Sequence, residues 1–225
     1  MGICLKIFLS NFFDMNLNFE RKYRGKYIFG IDEVGRGPLA GPVVSCAVCI
    51  LNNKDIPNDL MKMVNDSKKL THKKREYICK YIKNISGIKY VLSLVNCKEI
   101  DKINILNSTL KSFKKSVILL EKKINCKPDL ILIDGNKIVK DLVNYKQQAI
   151  INGDNKVFSI ALSSIIAKEY RDKLMIKYSK KYPKYLFEKH KGYGTKEHIS
   201  LIKKFGLCDI HRKSFVKNLK YEKIT

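Results

Sequence analysis

The chain has 225 residues, which suits one large domain or one domain with a small appendage. Its hydrophobic content of 45% can supply a real core, and no apolar stretch approaches the roughly 20 residues of a membrane-spanning helix. Lys and Arg number 45 against 21 Asp and Glu, a formal charge of +24. Folding does not require that excess, and it attracts polyanions, nucleic acid first among them. A bias toward Lys, Asn and Ile accounts for part of it, so charge alone does not decide the partner.

The seven cysteines are odd in number and scattered through apolar runs. They read as reduced thiols in a reducing compartment, which predicts a cytoplasmic protein. Cys46 and Cys49 form a C-x-x-C, but in a strand they point to opposite faces, so a shared zinc is not expected. Residues 1–26 read as a leader, disordered or assigned from too early a start, with Met15 as the alternative start. Lys6 stands where a myristoylation signal needs Ser or Thr.

The first strand is predicted over Tyr27–Val34, rich in β-branched and aromatic residues. A Gly/Pro-punctuated loop, Gly35–Pro42, leads to a second strand, Val43–Leu51, close enough to pair antiparallel. Thr71 caps a basic helix to about Asn84, and Lys89–Val95 is a third strand. A long helix runs from Ile105 to Lys123 with Asn104 as cap. Leu106, Leu110, Phe113, Val117 and Leu120 form its apolar stripe. Pro128 breaks the chain before Leu130–Ile133, a continuous apolar run expected of a buried parallel strand. Ala149–Ile151 and Val157–Phe158 are short strand candidates. Ser163 or Ser164 opens a further helix to about Tyr178, which Pro183 ends. Hairpin, then helix–strand–helix, indicates an α/β domain with a mixed sheet. Residues 27–215 form that domain and 216–225 a basic tail.

In a chain short of acids, the placement of acids is informative. Asp32 and Glu33 end the first strand and Asp134 ends the buried one, where ligand sites form in open α/β sheets. Asp172 lies nearly over Ile165 and close to Ile176 on its helix, so it projects along the core-facing stripe. Each acid alone has an ordinary reading as cap, turn or ion pair, Asp172 with Lys168 for instance. Together the four would repel one another and phosphate, a conflict that Mg²⁺ or Mn²⁺ resolves. An acid cluster in a basic surround suits metal-assisted phosphodiester hydrolysis.

The stretch Gly30-Ile31-Asp32-Glu33-Val34-Gly35-Arg36-Gly37-Pro38-Leu39-Ala40-Gly41-Pro42-Val43-Val44 resembles the opening motif of ribonuclease HII. Further blocks follow in that family's order: Asp66–Leu70, Leu132–Asn136, Ser164–Lys168, Arg171-Asp172, Lys191–Thr195 with His198, and His211–Phe215. The resemblance spans Ile28 to Phe215 and implies an RNase H-like mixed sheet flanked by helices, with a C-terminal helical region. It implies Asp32, Glu33, Asp134 and Asp172 as catalytic, metal-holding acids with Mg²⁺ or Mn²⁺. The implied substrates are RNA–DNA hybrids and ribonucleotide-containing duplex DNA, cut 5′ of the ribonucleotide to leave 3′-hydroxyl and 5′-phosphate ends. It also implies substrate contacts from Gly35, Arg36, Gly37 and Tyr193, which sense the ribonucleotide, and from Lys68, Lys69 and Ser164. Glycines let the backbone approach a 2′-hydroxyl, and a tyrosine ring stacks on a nucleotide. His190, His198 and His211 lack zinc spacing and read as structural or substrate-adjacent.

The chain departs from the family pattern at Asn152, where Lys is usual, at Leu162 and Ser163, where small residues are usual, and at Tyr170, where Thr is common. These bear on fine positioning. A ribonuclease HIII reading fits less well, because it usually brings an extra N-terminal domain and lacks Gly-Arg-Gly. A non-catalytic basic nucleic-acid-binding protein is the alternative from another class; it explains the charge and leaves Asp134 and Asp172 unexplained. The expected protein is a monomer with no membrane partner.

Overall fold

β1 (Ile28–Val34) is the organising strand of the computed structural model, which describes residues 17–21, 27–51, 56–64 and 70–219. It pairs antiparallel with β2 (Val43–Ile50) and parallel with β4 (Leu130–Asp134). β3 (Ile88–Val95) and β5 (Gln147–Ile150) complete the order β3-β2-β1-β4-β5. The mixed sheet is the one expected, and each predicted strand through β5 lies within two residues of the observed one.

Strand alternation sorts β1 into two faces. Phe29 and Ile31, with Ala47, Cys49, Ile131 and Ile133, pack against Phe113, Val117 and Leu120 of α4 (Cys97–Ile124). The opposite face of β2 carries Val44, Cys46 and Val48 against α5 (Phe158–Lys181), with α2 (Asn58–Val64) and α3 (His72–Tyr81) outside. Cys46 and Cys49 therefore do face opposite layers. The Thr71 cap of α3 forms, accepting from the Lys74 amide at 3.3 Å.

Two helices differ from their sequence reading. α4 begins at Cys97, capped by Asn96, and Asn104 is a kink inside it with φ 65°. Asn104 still caps the second segment, accepting from the Asn107 amide at 3.0 Å. The kink leaves Leu106 exposed, so the buried stripe starts further along than predicted. α5 begins at Phe158 rather than Ser163 or Ser164, and Val157–Phe158 is not a strand. An apolar run this short suits a buried strand or a buried helix turn equally, and burial of every residue from Val157 to Ser163 chose the helix.

Val157 has no capping side chain; Glu20 accepts from the Ser159 amide at 2.8 Å instead. Glu20 belongs to α1 (Asn18–Arg21), and Leu17 before it is buried in the core. Of the leader expected over residues 1–26, Leu17 and Glu20 are packed against the domain, and residues 1–16 and 22–26 lie outside the described residues. Val216, placed in the expected tail, is likewise buried. A C-terminal helical region contains α6 (Phe187–His190) and α7 (Lys196–Phe205), neither predicted as a separate element. It packs on α5 through Met175, Tyr185, Phe187 and Ile210. Among the described residues no helix is long and apolar enough to cross a membrane.

Candidate active site

Gly30 explains how α5 reaches the strand ends. A Cβ there would sit 2.4 Å from Ser159 Oγ and 2.5 Å from the Ser159 carbonyl carbon, so the helix start lies directly on β1. Five helical residues advance about 7.5 Å and two strand residues about 6.6 Å, so Ser164 arrives level with Asp32. The Ser164 hydroxyl does hydrogen bond Asp32. Expected as a substrate contact, Ser164 is placed against the acid.

Asp32 and Asp134 end neighbouring parallel strands on the face toward α5. The register pairs Ile31 with Ile133, so the acids follow side by side. Burial raises the Asp32 carboxyl well above its usual range; the charges of Glu33 and then Asp134 add to it, and Ser164 and the Glu33 amide oppose it. That amide donates to Asp32 Oδ1 at 2.7 Å. Glu33 is also raised by burial, with Arg36 lowering and Asp134 raising it. Arg36 Nη1 lies 3.4 Å from Glu33 Oε1. Asp134 Oδ1 accepts from the amides of Gly153 at 2.7 Å and Asp154 at 3.3 Å. Asn152 sets that turn at φ 55°, a conformation Asn tolerates better than Lys, so this departure keeps Asp134 supported.

Asp172 is buried on α5 as its helical position required. It is held by Lys168 at 2.8 Å and by Arg75 at 3.1 Å. Three acids are thus electrostatically joined, and the fourth is taken by two cations. Among the described residues no three His, Cys, Asp or Glu side chains close around one point as a ready metal cage.

Beside the acids stands the loop that follows β1. Gly35 has φ 97°, and a Cβ there would meet Arg171 Nε at 2.3 Å. The loop is fastened to the segment carrying Tyr193, since the Leu39 amide donates to Gly192 O at 2.8 Å. Tyr193 is 40% exposed, with Lys168 Nζ at 5.7 Å and the Arg171 guanidinium at 5.9 Å from its ring. Gly35, Arg36, Gly37 and Tyr193 therefore border one surface with the acids.

The ribonuclease HII family profile matches residues 29–218. The chain belongs to the ribonuclease HII family. It is 48% identical over 207 residues to ribonuclease HII of Endomicrobium trichonymphae, covering 92% of each chain. It is 48% identical over 194 residues to that of Caldicellulosiruptor bescii, covering 86% of this chain and 88% of the other. The solved ribonuclease H2 of Pyrococcus horikoshii OT3 superposes with TM-score 0.69 at 27% identity, covering 86% of this chain and 96% of that one. The protein is accordingly a ribonuclease H, an endonuclease and hydrolase, which removes the non-catalytic alternative.

Lys68 and Lys69 lie outside the described residues. The three histidines are buried together: His190 stacks on His198 at 4.2 Å, and His198 Nε2 is 3.1 Å from His211 Nε2. Their partners fix their tautomers. His211 Nδ1 accepts from the Cys208 amide, so its Nε2–H donates to His198, whose Nδ1–H donates to Tyr193 O at 2.9 Å. They brace the tyrosine segment from below. Burial, with mutual repulsion, lowers His198 and His211 to about 4, so both are neutral at pH 7.

Arg75 was not anticipated. It sits on α3, and only the tertiary packing of α3 on α5 brings it 97 residues along the chain to Asp172. Arg171 and Arg212 stood in recognised blocks, but nothing in their spacing indicated full burial.

Proposed function

We propose that this site hydrolyses the phosphodiester on the 5′ side of a ribonucleotide, in RNA–DNA hybrids and at single ribonucleotides embedded in duplex DNA, leaving 3′-hydroxyl and 5′-phosphate ends. The observation that carries the reading is the convergence of Asp32, Glu33 and Asp134 at the ends of β1 and β4, where the charge of Asp134 raises both Asp32 and Glu33, in a chain of charge +24. A protein keeps such repulsion where a cation offsets it.

The donor set is all carboxylate oxygen, which fits Mg²⁺ or Mn²⁺. Mg²⁺ commonly uses one or two carboxylates, keeps waters and draws its other ligands from substrate phosphate, so a closed protein cage is not needed. Asp32, Glu33, Asp134 and Asp172 would hold a pair of ions. Bound there, divalent ions supply an activated water and stabilise the leaving 3′-oxygen. For Asp172 to take part, Lys168 and Arg75 must yield. Arg75 has a second acid in reach, Glu169 at 3.9 Å.

The chain's own groups do the rest. Ser164 and the Glu33 amide support the ionised form of Asp32, and the Gly153 and Asp154 amides fix Asp134. The Gly35-Arg36-Gly37 backbone and the Tyr193 ring are positioned to read the 2′-hydroxyl and stack on the adjoining nucleotide. Lys68 and Lys69 belong to the same proposal as phosphate contacts, and residues 27–215 as the catalytic unit.

The test is a labelled DNA duplex with one embedded ribonucleotide, incubated with Mg²⁺, Mn²⁺ or chelator. A single metal-dependent cut 5′ to the ribonucleotide, lost with Asp134→Asn while duplex binding persists, supports the reading. Cutting of long hybrids alone would reject the ribonucleotide-sensing part. Binding should fall steeply as salt rises, because neutralised phosphates release counterions.

A further inference from the structure

Arg171 and Arg212 are both fully buried, and among the described residues neither is ion-paired. Burying an unpaired guanidinium is costly, so each must be repaid by hydrogen bonds and a specific role. Every guanidinium nitrogen is used, and every partner is a backbone carbonyl. Arg171 donates from Nε to Pro42 O, from Nη2 to Ala40 O and from Nη1 to Lys191 O, each at 3.0 Å. Arg212 donates from Nε to Gly41 O at 2.9 Å, from Nη1 to Arg36 O at 2.9 Å and from Nη2 to Gly35 O at 2.6 Å.

Six carbonyls are thereby turned inward, and five belong to the loop 35–42. In a trans peptide the N–H points opposite to the C=O. Holding Gly35 O and Arg36 O inward therefore turns the amides of Arg36 and Gly37 away from the guanidiniums. Arg171 joins the same loop to Lys191, two residues before Tyr193, and lies under the tyrosine ring. Gly35 leaves room for this, because a side chain there would strike Arg171. Burial, then the Arg171 charge, pulls Arg212 down to about 9, still protonated at neutral pH.

We propose that Arg171 and Arg212 are positioning residues for ribonucleotide recognition, setting the peptide planes of Gly35-Arg36-Gly37 and their register with Tyr193. This rests on the sensing role proposed above for that loop. A lysine keeps the charge and much of the stem but has a single nitrogen, which cannot span three carbonyls in the plane of a guanidinium.

The experiment compares the wild type with Arg212→Lys and Arg171→Lys on two substrates: duplex DNA with one ribonucleotide, and a uniform RNA–DNA hybrid. A hybrid offers many 2′-hydroxyls and its own helix shape, so it depends less on one precisely aimed amide pair. The expected result is a fall of about tenfold or more in the ratio of kcat/KM for the single ribonucleotide to that for the hybrid, measured below each variant's own thermal midpoint, which the carbonyls left without a donor will lower. Arg212→Ala should regain part of the ratio when millimolar guanidinium chloride is added, and not when NaCl is added. Equal losses on both substrates, or an unchanged ratio, would overturn the proposal. So would failure of both lysine variants to fold, which would assign the arginines to stability alone. If the wild type itself does not cut at the embedded ribonucleotide, the sensing reading fails first and takes this one with it; wild-type cutting with an unchanged ratio in the variants sinks this proposal only.

Discussion

Acid should weaken the fold through the histidine cluster. His198 and His211 are held at about 4 in the folded protein, against about 6.5 in an unfolded chain. A base whose folded pKa is depressed contributes stability that is present above the unfolded value and lost as pH falls toward the folded one. The window here is pH 6.5 down to 4. Between pH 7 and pH 5 the unfolded ring takes up its proton while the folded ring does not, a loss of about 2 kcal/mol per ring and up to about 4 kcal/mol for the pair. That is a large share of an ordinary domain's stability. Asp32 and Glu33 act in the opposite sense, because their raised carboxyls favour the folded state as pH falls. A comparison with His198→Asn isolates the ring. Asn keeps an N–H where Nδ1–H donates to Tyr193 O, and it does not titrate. Urea unfolding at pH 7, 6 and 5 should show the variant losing about 2 kcal/mol less than the parent across that range, whatever its starting stability. If both proteins lose the same amount, the histidines are not the buried neutral relay described above.

Three further outcomes are expected. Gly30→Ala drives a methyl into the Ser159 backbone, where no side chain can yield, and should lower stability by about 3 kcal/mol in thermal unfolding; an unchanged midpoint would contradict the seating of α5 on β1. Glu20→Ala removes the distant cap of α5 and should cost about 1 kcal/mol. Ser164→Ala removes a group that opposes the raised pKa of Asp32, so the acid limb of the kcat/KM profile should move to higher pH; a limb that stays in place would separate Asp32 from the titration that governs turnover.

The sequence by itself determined the strands of the sheet, the main helices packed on it and the places of the four acids. Those follow from local rules: period-2 and period-3.6 burial, the Thr71 and Asn104 side chains as caps, and carboxylates at strand ends. Asp172 was legible because helical geometry carries a residue's direction over several turns. Even there the local signal had limits. It put the start of α5 five residues late, because the cap comes from Glu20, 139 positions away from Ser159. It missed the first segment of α4, because Asn104 caps a helix from inside a longer one. Only the tertiary structure decided which charges are paired. Arg75 meets Asp172 across 97 positions, and Arg171 and Arg212 reach loop carbonyls 129 to 177 positions away. A guanidinium has no periodicity and no fixed spacing from a carbonyl it will bind. Its partners exist once α5 and the C-terminal region have closed over the loop after β1, and until then a buried arginine and a solvated one read alike.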